Sequence, residues 1–316
     1  MEKLKIFLIS ITPLLLVSLI GFGIYNNLEQ TKIKTICKNL KLIDVNIHHN
    51  QALDAIELAK EKNIKVPDTI INFDTHSDIY VYQGIGQDGA HIYDWLNEYF
   101  AKNKNADTLY WVMPEEETQM KNFDIIFKDI DIKGVDMSLL GNSKKPKDKV
   151  NSKINETPFI QDFLVDTKTS YMEEIISTKD EDKLKNPRYK KIKIITCTEK
   201  TLPNFKGKNV ILSLDMDYIS NSGFDTIENW SHNRDAKEID IALSKMIMTI
   251  KKKNIRPEII SITLSPQYVP KKDRQQLAYF IENFLQNSGK QDILQEYTRT
   301  VNDPQTKPGQ KKYEGI

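Results

Sequence analysis

Two acidic clusters, each closing an apolar run, constrain this chain more than any other feature. The first is Ile70-Ile71-Asn72-Phe73-Asp74-Thr75-His76-Ser77-Asp78, and the second is Val210-Ile211-Leu212-Ser213-Leu214-Asp215-Met216-Asp217. Each run predicts a buried strand. Open α/β sheets place their sites at the C-terminal ends of such strands. Side chains at i, i+2 and i+4 of a strand end share one side. The spacing therefore predicts that Asp74, His76 and Asp78 converge, and that Asp215 joins Asp217. Carboxylates gathered in this way repel one another unless a cation neutralises them. Four carboxylates and an imidazole suit a pair of hard or borderline divalent cations. Asp and Ser after an apolar run are also turn and cap residues. For one cluster alone that reading stands beside the metal reading. Two clusters with alternate spacing favour metal.

The rest of the chain alternates strands and helices. Strands are predicted over Leu42–Ile47, Thr69–Phe73, Asp107–Met113, Lys191–Thr196, Asn209–Leu214 and Glu258–Leu264. Helical spacing marks Asn50–Lys62, Ala90–Ala101, Asp235–Lys252 and Asp273–Leu285. This order implies a three-layer α/β/α fold with a mainly parallel sheet. Residues 115–190 give a weaker pattern, with a short strand at Phe123–Phe127 and a polar excursion at Asn142–Asn155. The domain is expected over 41–286, after a polar stalk at 26–40 and before a polar tail at 287–316.

With 316 residues and a formal net charge of +1, the chain is long enough for one large domain and carries no global field that recruits nucleic acid. Its two cysteines, Cys37 and Cys197, make neither a disulfide framework nor a cysteine-rich zinc site. Residues 6–25 are uncharged and follow Lys3 and Lys5. Twenty such residues are long enough to span roughly 30 Å of hydrocarbon. The expectation is an uncleaved N-terminal signal anchor over residues 1–25: a single-pass cell-membrane protein with its lipid bilayer partner at 6–25 and its domain extracytoplasmic. Secretion after signal cleavage is the alternative.

The acidic clusters resemble the Asp-Ala-His-x-Asp and Ser-x-Asp-x-Asp signatures of the arginase and deacetylase (ureohydrolase-like) superfamily. The chain is most similar to the arginase-like UPF0489 family, which includes peptide arginases. His48-His49-Asn50-Gln51-Ala52-Leu53 resembles that family's Asp-His-Asn-x-x-Leu segment, with His48 in place of Asp. Asp94-Trp95-Leu96, Tyr110-Trp111-Val112-Met113-Pro114 and Ile260-Ser261-Ile262-Thr263-Leu264-Ser265-Pro266 resemble further family segments. The likeness runs from about residue 41 to about residue 285.

The resemblance implies two Mn2+ ions per chain. Asp74 and Asp215 would be shared, with His49 and Asp78 completing one metal site and His76 and Asp217 the other. His48 and His49 are adjacent and face opposite ways on a strand, so one of them is the ligand; the resemblance selects His49. His48 is then a hydrogen-bonded structural or supporting histidine. His91 stands where arginase-like enzymes carry a proton-shuttling histidine, although an exposed loop histidine reads the same way. His232 borders the pocket or lies in a helix cap. True arginases grip the guanidinium with a Glu in the late strand, where this chain has Thr263. Glu258 is expected at the far end of that strand, and Asp94 and Glu228 remain as substitutes. Together these features imply a manganese-dependent hydrolase acting on a carbon–nitrogen bond of a small-molecule or peptide substrate. A metal-dependent deacetylase or amidohydrolase and a non-catalytic, metal-stabilised surface protein are the alternatives.

Overall fold

The computed structural model describes residues 32–79, 95–116, 154–175, 177–222 and 234–289. They form one eight-stranded sheet in the order β1-β8-β7-β2-β3-β6-β4-β5. The strands are β1 (Leu42–Asn46), β2 (Thr69–Phe73), β3 (Thr108–Val112), β4 (Phe159–Asp166), β5 (Met172–Glu174), β6 (Tyr189–Cys197), β7 (Ile211–Asp215) and β8 (Ile259–Thr263). All neighbours from β1 to β6 are parallel. β4 runs antiparallel to both β6 and β5. The helices are α1 (Ala52–Glu61), α2 (Trp95–Lys102), α3 (Thr178–Asp182), α4 (Ala236–Lys252) and α5 (Arg274–Ser288).

Crossover handedness sorts the helices between the two faces. The β1→β2 and β2→β3 connections step across the sheet in one direction, and β7→β8 steps back. Right-handed crossovers then put α1 and α2 on one face and α4 on the other. The core divides accordingly. Ile70, Leu109, Ile211 and Ile259 pack with α1 and α2. Ile71, Phe73, Leu212, Leu214, Ile260 and Ile262 pack with α4 and α5. Each strand feeds both cores through its period of two. The direction of winding reverses between β2 and β7, so the two acidic clusters flank a topological switch point, the place where such sheets leave a crevice.

The three-layer, mainly parallel α/β/α architecture agrees with the pattern in the sequence, and the membrane helix ahead of it is a correction. No helix among the described residues is long and apolar enough to cross a membrane. The longest, α4, has 17 residues, fewer than the roughly 20 a span needs. Its charges lie on the face away from the core. The stretch 6–25 lies outside the described residues. The expected single-pass anchor, and with it the extracytoplasmic or secreted location, is not supported by any helix among the described residues.

Smaller differences have local causes. β4 and β5 were not legible, because β5 is a three-residue edge strand with two glutamates and β4 carries Gln161 and Asp162 together inside its apolar run, which breaks the alternation. α2 is described from Trp95; the expected start at Ala90, the strand at Phe123–Phe127 and most of the polar excursion at Asn142–Asn155 lie outside the described residues. Cys37 and Cys197 are both buried and are not joined in a disulfide.

Candidate metal centre

The ligand candidates are delivered by turns rather than by continuing strands. β2 ends at Phe73, and Asp74 folds the chain back by accepting the backbone N–H of His76 on Oδ1 at 2.8 Å. Asp78 closes this turn with φ 53°, a left-handed conformation that costs energy in a non-glycine residue. β7 ends at Asp215, whose Oδ1 accepts the backbone N–H of Asp217 at 3.0 Å and starts a short 3-10 turn over Met216–Tyr218. Strand alternation, expected from the spacing, therefore does not set these side chains. Asp74 meets Asp78 in one donor group and His76 in another, because Asp74 and Asp215 each cap a turn with one oxygen and leave the other for the centre. The cap reading and the metal reading describe the same two side chains.

His49 enters from the other side. β1 stops at Asn46, and a 3-10 turn over His49–Gln51 follows. His48 is its extended N-terminal residue, and its ring meets Gln267 at 3.2 Å. His49 turns inward and is 2% exposed. Its Nδ1 lies 3.0 Å from Asp74 Oδ2, 2.6 Å from Asp78 Oδ2 and 3.0 Å from Asp215 Oδ2. None of these approaches is aligned as a hydrogen bond, so Nδ1 is a buried polar atom without one. An imidazole nitrogen aimed among three carboxylate oxygens is what a cation site requires.

Among the described residues, two groups have donor atoms close enough together to hold a metal ion: His49, Asp74 and Asp78, and Asp74, His76 and Asp217. Asp74 belongs to both. In the second, His76 Nδ1 lies 2.8 Å from Asp217 Oδ2 and 3.8 Å from Asp74 Oδ1. Asp215 is in neither tight group. Its Oδ2 stands beside His49 but is also held by the hydroxyl of Ser265 at 2.5 Å.

Electrostatics makes the same demand for positive charge. Burial raises the pKa of Asp74, the charge of Asp78 adds to this, and the nearby His49 ring offsets part of it, leaving the carboxyl pushed up to about 7. Burial also raises Asp215 and Asp217, helped by the charge of Asp217 on the first and of Asp74 on the second. For His49, burial opposes protonation, but the carboxylates of Asp78 and Asp215 outweigh it and hold the pKa well above the usual histidine value. Four buried carboxylates cannot all ionise together without a compensating cation. The donor set, rich in carboxylate with two imidazoles, fits divalent metal.

A supporting layer surrounds these groups, and most of it was missed from sequence. Asn72 Nδ2 donates to Asp74 Oδ2 at 3.0 Å, and the Trp95 indole N–H donates to Asp78 Oδ2 at 2.5 Å. The Trp111 indole donates to the Asp74 carbonyl at 3.0 Å, and His49 Nε2 meets Ser213 Oγ at 2.8 Å. The available signal was a polar residue at one alternate position of an otherwise apolar strand. Asp44, Ser261, Ser213 and Asn72 are such residues, and they align across β1, β8, β7 and β2.

Other candidates fall away from the centre or outside the described residues. Glu258 precedes β8 and binds Lys41 at 3.0 Å, at the N-terminal end of the strand, opposite the ligand candidates, as expected. Thr263 is fully buried and paired in register with Asp215. His91, Asp94, Glu228 and His232 lie outside the described residues. A cavity of about 240 Å³ lies beside α4, lined by Glu115, Glu199, Tyr218, Arg234 and Lys245 among others but by no ligand candidate. Its acids are already engaged: Glu115 with Lys200 and Lys245, and Glu199 with the hydroxyls of Tyr218 and Thr249.

Sequence comparison finds no matching protein-family model and no matching curated protein. Fold and site together define an α/β protein with buried His/Asp groups that can hold a metal ion.

Proposed function

We propose that this chain is a binuclear-metal hydrolase of arginase-like type that cleaves a carbon–nitrogen bond, with a guanidino group on a peptide or other larger substrate as its target. The observation that carries this reading is the position of Asp74, common to two histidine-containing donor groups. A metal kept only for stability needs one such group. Two groups sharing a carboxylate are suited to a pair of cations. His49, Asp74, Asp78 and Asp215 would hold one ion, and Asp74, His76, Asp215 and Asp217 the other. Manganese suits a donor set that is mostly oxygen with some imidazole. A cation pair supplies Lewis-acid activation of water near neutral pH.

The chain's own residues fix the geometry. Ser213 orients His49, Asn72 and the His76 backbone orient Asp74, and Ser265 orients Asp215. The apolar cores under β2 and β7 keep water from the back of the centre. The buried hydroxyl of Thr263 offers no charge to a guanidinium, which supports a larger substrate recognised elsewhere over free arginine. The test is elemental analysis of the purified chain after reconstitution, followed by a screen for release of urea, ammonia or acetate. Two manganese ions with urea release support the reading. A single zinc with acetate release would replace it with a deacetylase.

A further inference from the structure

We propose that Tyr268 is the positioning residue for the His76 ring, and that the two halves of the centre load in order, the His49 half first and the His76 half second. This rests on the metal-centre reading above.

The two histidines are held by different means. His49 is deep, with its side chain 3% exposed, and its orientation is set by the contact of Nε2 with Ser213. Three carboxylate oxygens already surround its Nδ1. His76 is at the rim, with its side chain 15% exposed. Its Nδ1 faces Asp217, and its ring packs on the ring of Tyr268, with centroids 4.5 Å apart and planes inclined by 42°. Tilted aromatic contacts at this separation fix orientation and shift an equilibrium by up to about tenfold.

Tyr268 is itself held firmly. Its backbone N–H donates to the Ser265 carbonyl at 3.0 Å, and its carbonyl accepts from the Ser222 N–H at 2.8 Å. Ser265 takes the left-handed conformation, with φ 46°, while its hydroxyl binds Asp215. Its N–H donates to the Ile47 carbonyl just before the two histidines. One turn after β8 thus joins the end of β1, the carboxylate at the end of β7 and the ring of His76. Its backbone aims the tyrosine ring, and the ring aims the outer imidazole. The inner imidazole nitrogen has three carboxylate oxygens within 3.0 Å, against Asp217 at 2.8 Å and Asp74 at 3.8 Å for the outer one, with less solvent and a second nitrogen held by Ser213, so the inner half binds the first ion more tightly.

The experiment is titration of the metal-free full chain with Mn2+, read by calorimetry and by competition with a chelating dye. The wild-type chain is expected to show two resolved steps, with His76→Ala removing the weaker one. Tyr268→Ala is expected to weaken that second step by about tenfold and leave the first unchanged; Tyr268→Phe, which keeps the ring, retains both. Thermal unfolding of the metal-free variants separates positioning from damage to the fold, since damage weakens both steps together. Two wild-type steps in Tyr268→Ala, equal weakening of both, or loss of the tighter step in His76→Ala would each overturn the proposal. A wild-type chain that takes up no Mn2+ at all would instead overturn the metal centre on which it rests.

Discussion

Asp74 Oδ2 lies 3.0 Å from His49 Nδ1 although β8 and β7 separate their strands, β1 and β2, in the sheet. The contact closes over the ends of the intervening strands and brings Asp215 into the same small volume. Most of the chemistry expected of this protein depends on that meeting, which also makes it open to test.

The shared carboxylate is the first point of attack. Asp74→Asn removes a charge from both donor groups, so both ions should be lost, whereas Asp217→Asn should cost one ion and leave the other bound. Metal content after dialysis, measured by elemental analysis, distinguishes them. Retention of two ions by Asp74→Asn would show that Asp74 does not bridge.

Support of the inner histidine is the second. Ser213→Ala removes the partner of His49 Nε2 while leaving every ligand atom in place. Loss of such a supporting contact lowers metal affinity by roughly 10–100-fold. The apparent affinity of the tighter Mn2+ step should fall by that factor, and an unchanged value would mean that carboxylates alone hold the ring.

Stability should respond to pH in a direction that metal reverses. Asp74 titrates near 3.8 when unfolded and near 7 when folded and metal-free. Between those values the folded chain binds the extra proton, so stability falls as pH rises. His49, also raised on folding, adds a loss of the same sign as pH passes its own folded value. The melting temperature of chelator-treated protein should therefore drop between about pH 5 and about pH 8. Mn2+ should restore it at the upper end and do little at the lower, since binding needs deprotonated ligands. A flat profile in the chelator-treated protein would contradict the electrostatics described above.

The platform beneath the centre can be tested separately. Phe73 is fully buried, precedes Asp74 and packs edge-on against Tyr218, with ring centroids 5.4 Å apart. Phe73→Ala should cost about 3–5 kcal/mol of stability, measured by urea unfolding. Because both residues adjoin ligand candidates, the variant should also bind Mn2+ more weakly even where it remains folded. Destabilisation below about 1 kcal/mol would show that the core closes over the gap.

The amino-acid sequence alone carries the alternating α/β order, the buried runs at Ile70–Phe73 and Val210–Leu214, and the identity of the acidic ligand candidates. These are local matters of hydrophobic period and of carboxylates following an apolar run, and both are legible one segment at a time. It also suggested a geometry that did not hold. Strand alternation aims Asp74, His76 and Asp78 at one point, while in the folded chain a capped turn and a left-handed Asp78 put Asp78 with His49 and Asp74, and His76 with Asp74 and Asp217. It takes the folded chain to show that His49 faces the carboxylates and His48 faces Gln267, that Ser213, Asn72 and Trp95 hold the ligands, and that Tyr268 lies on His76. Such contacts join residues as far apart in sequence as His49 and Ser213, and are set by sheet order and crossover handedness. No local pattern carries that information, because the packing energy that selects one sheet order is a sum over the whole core.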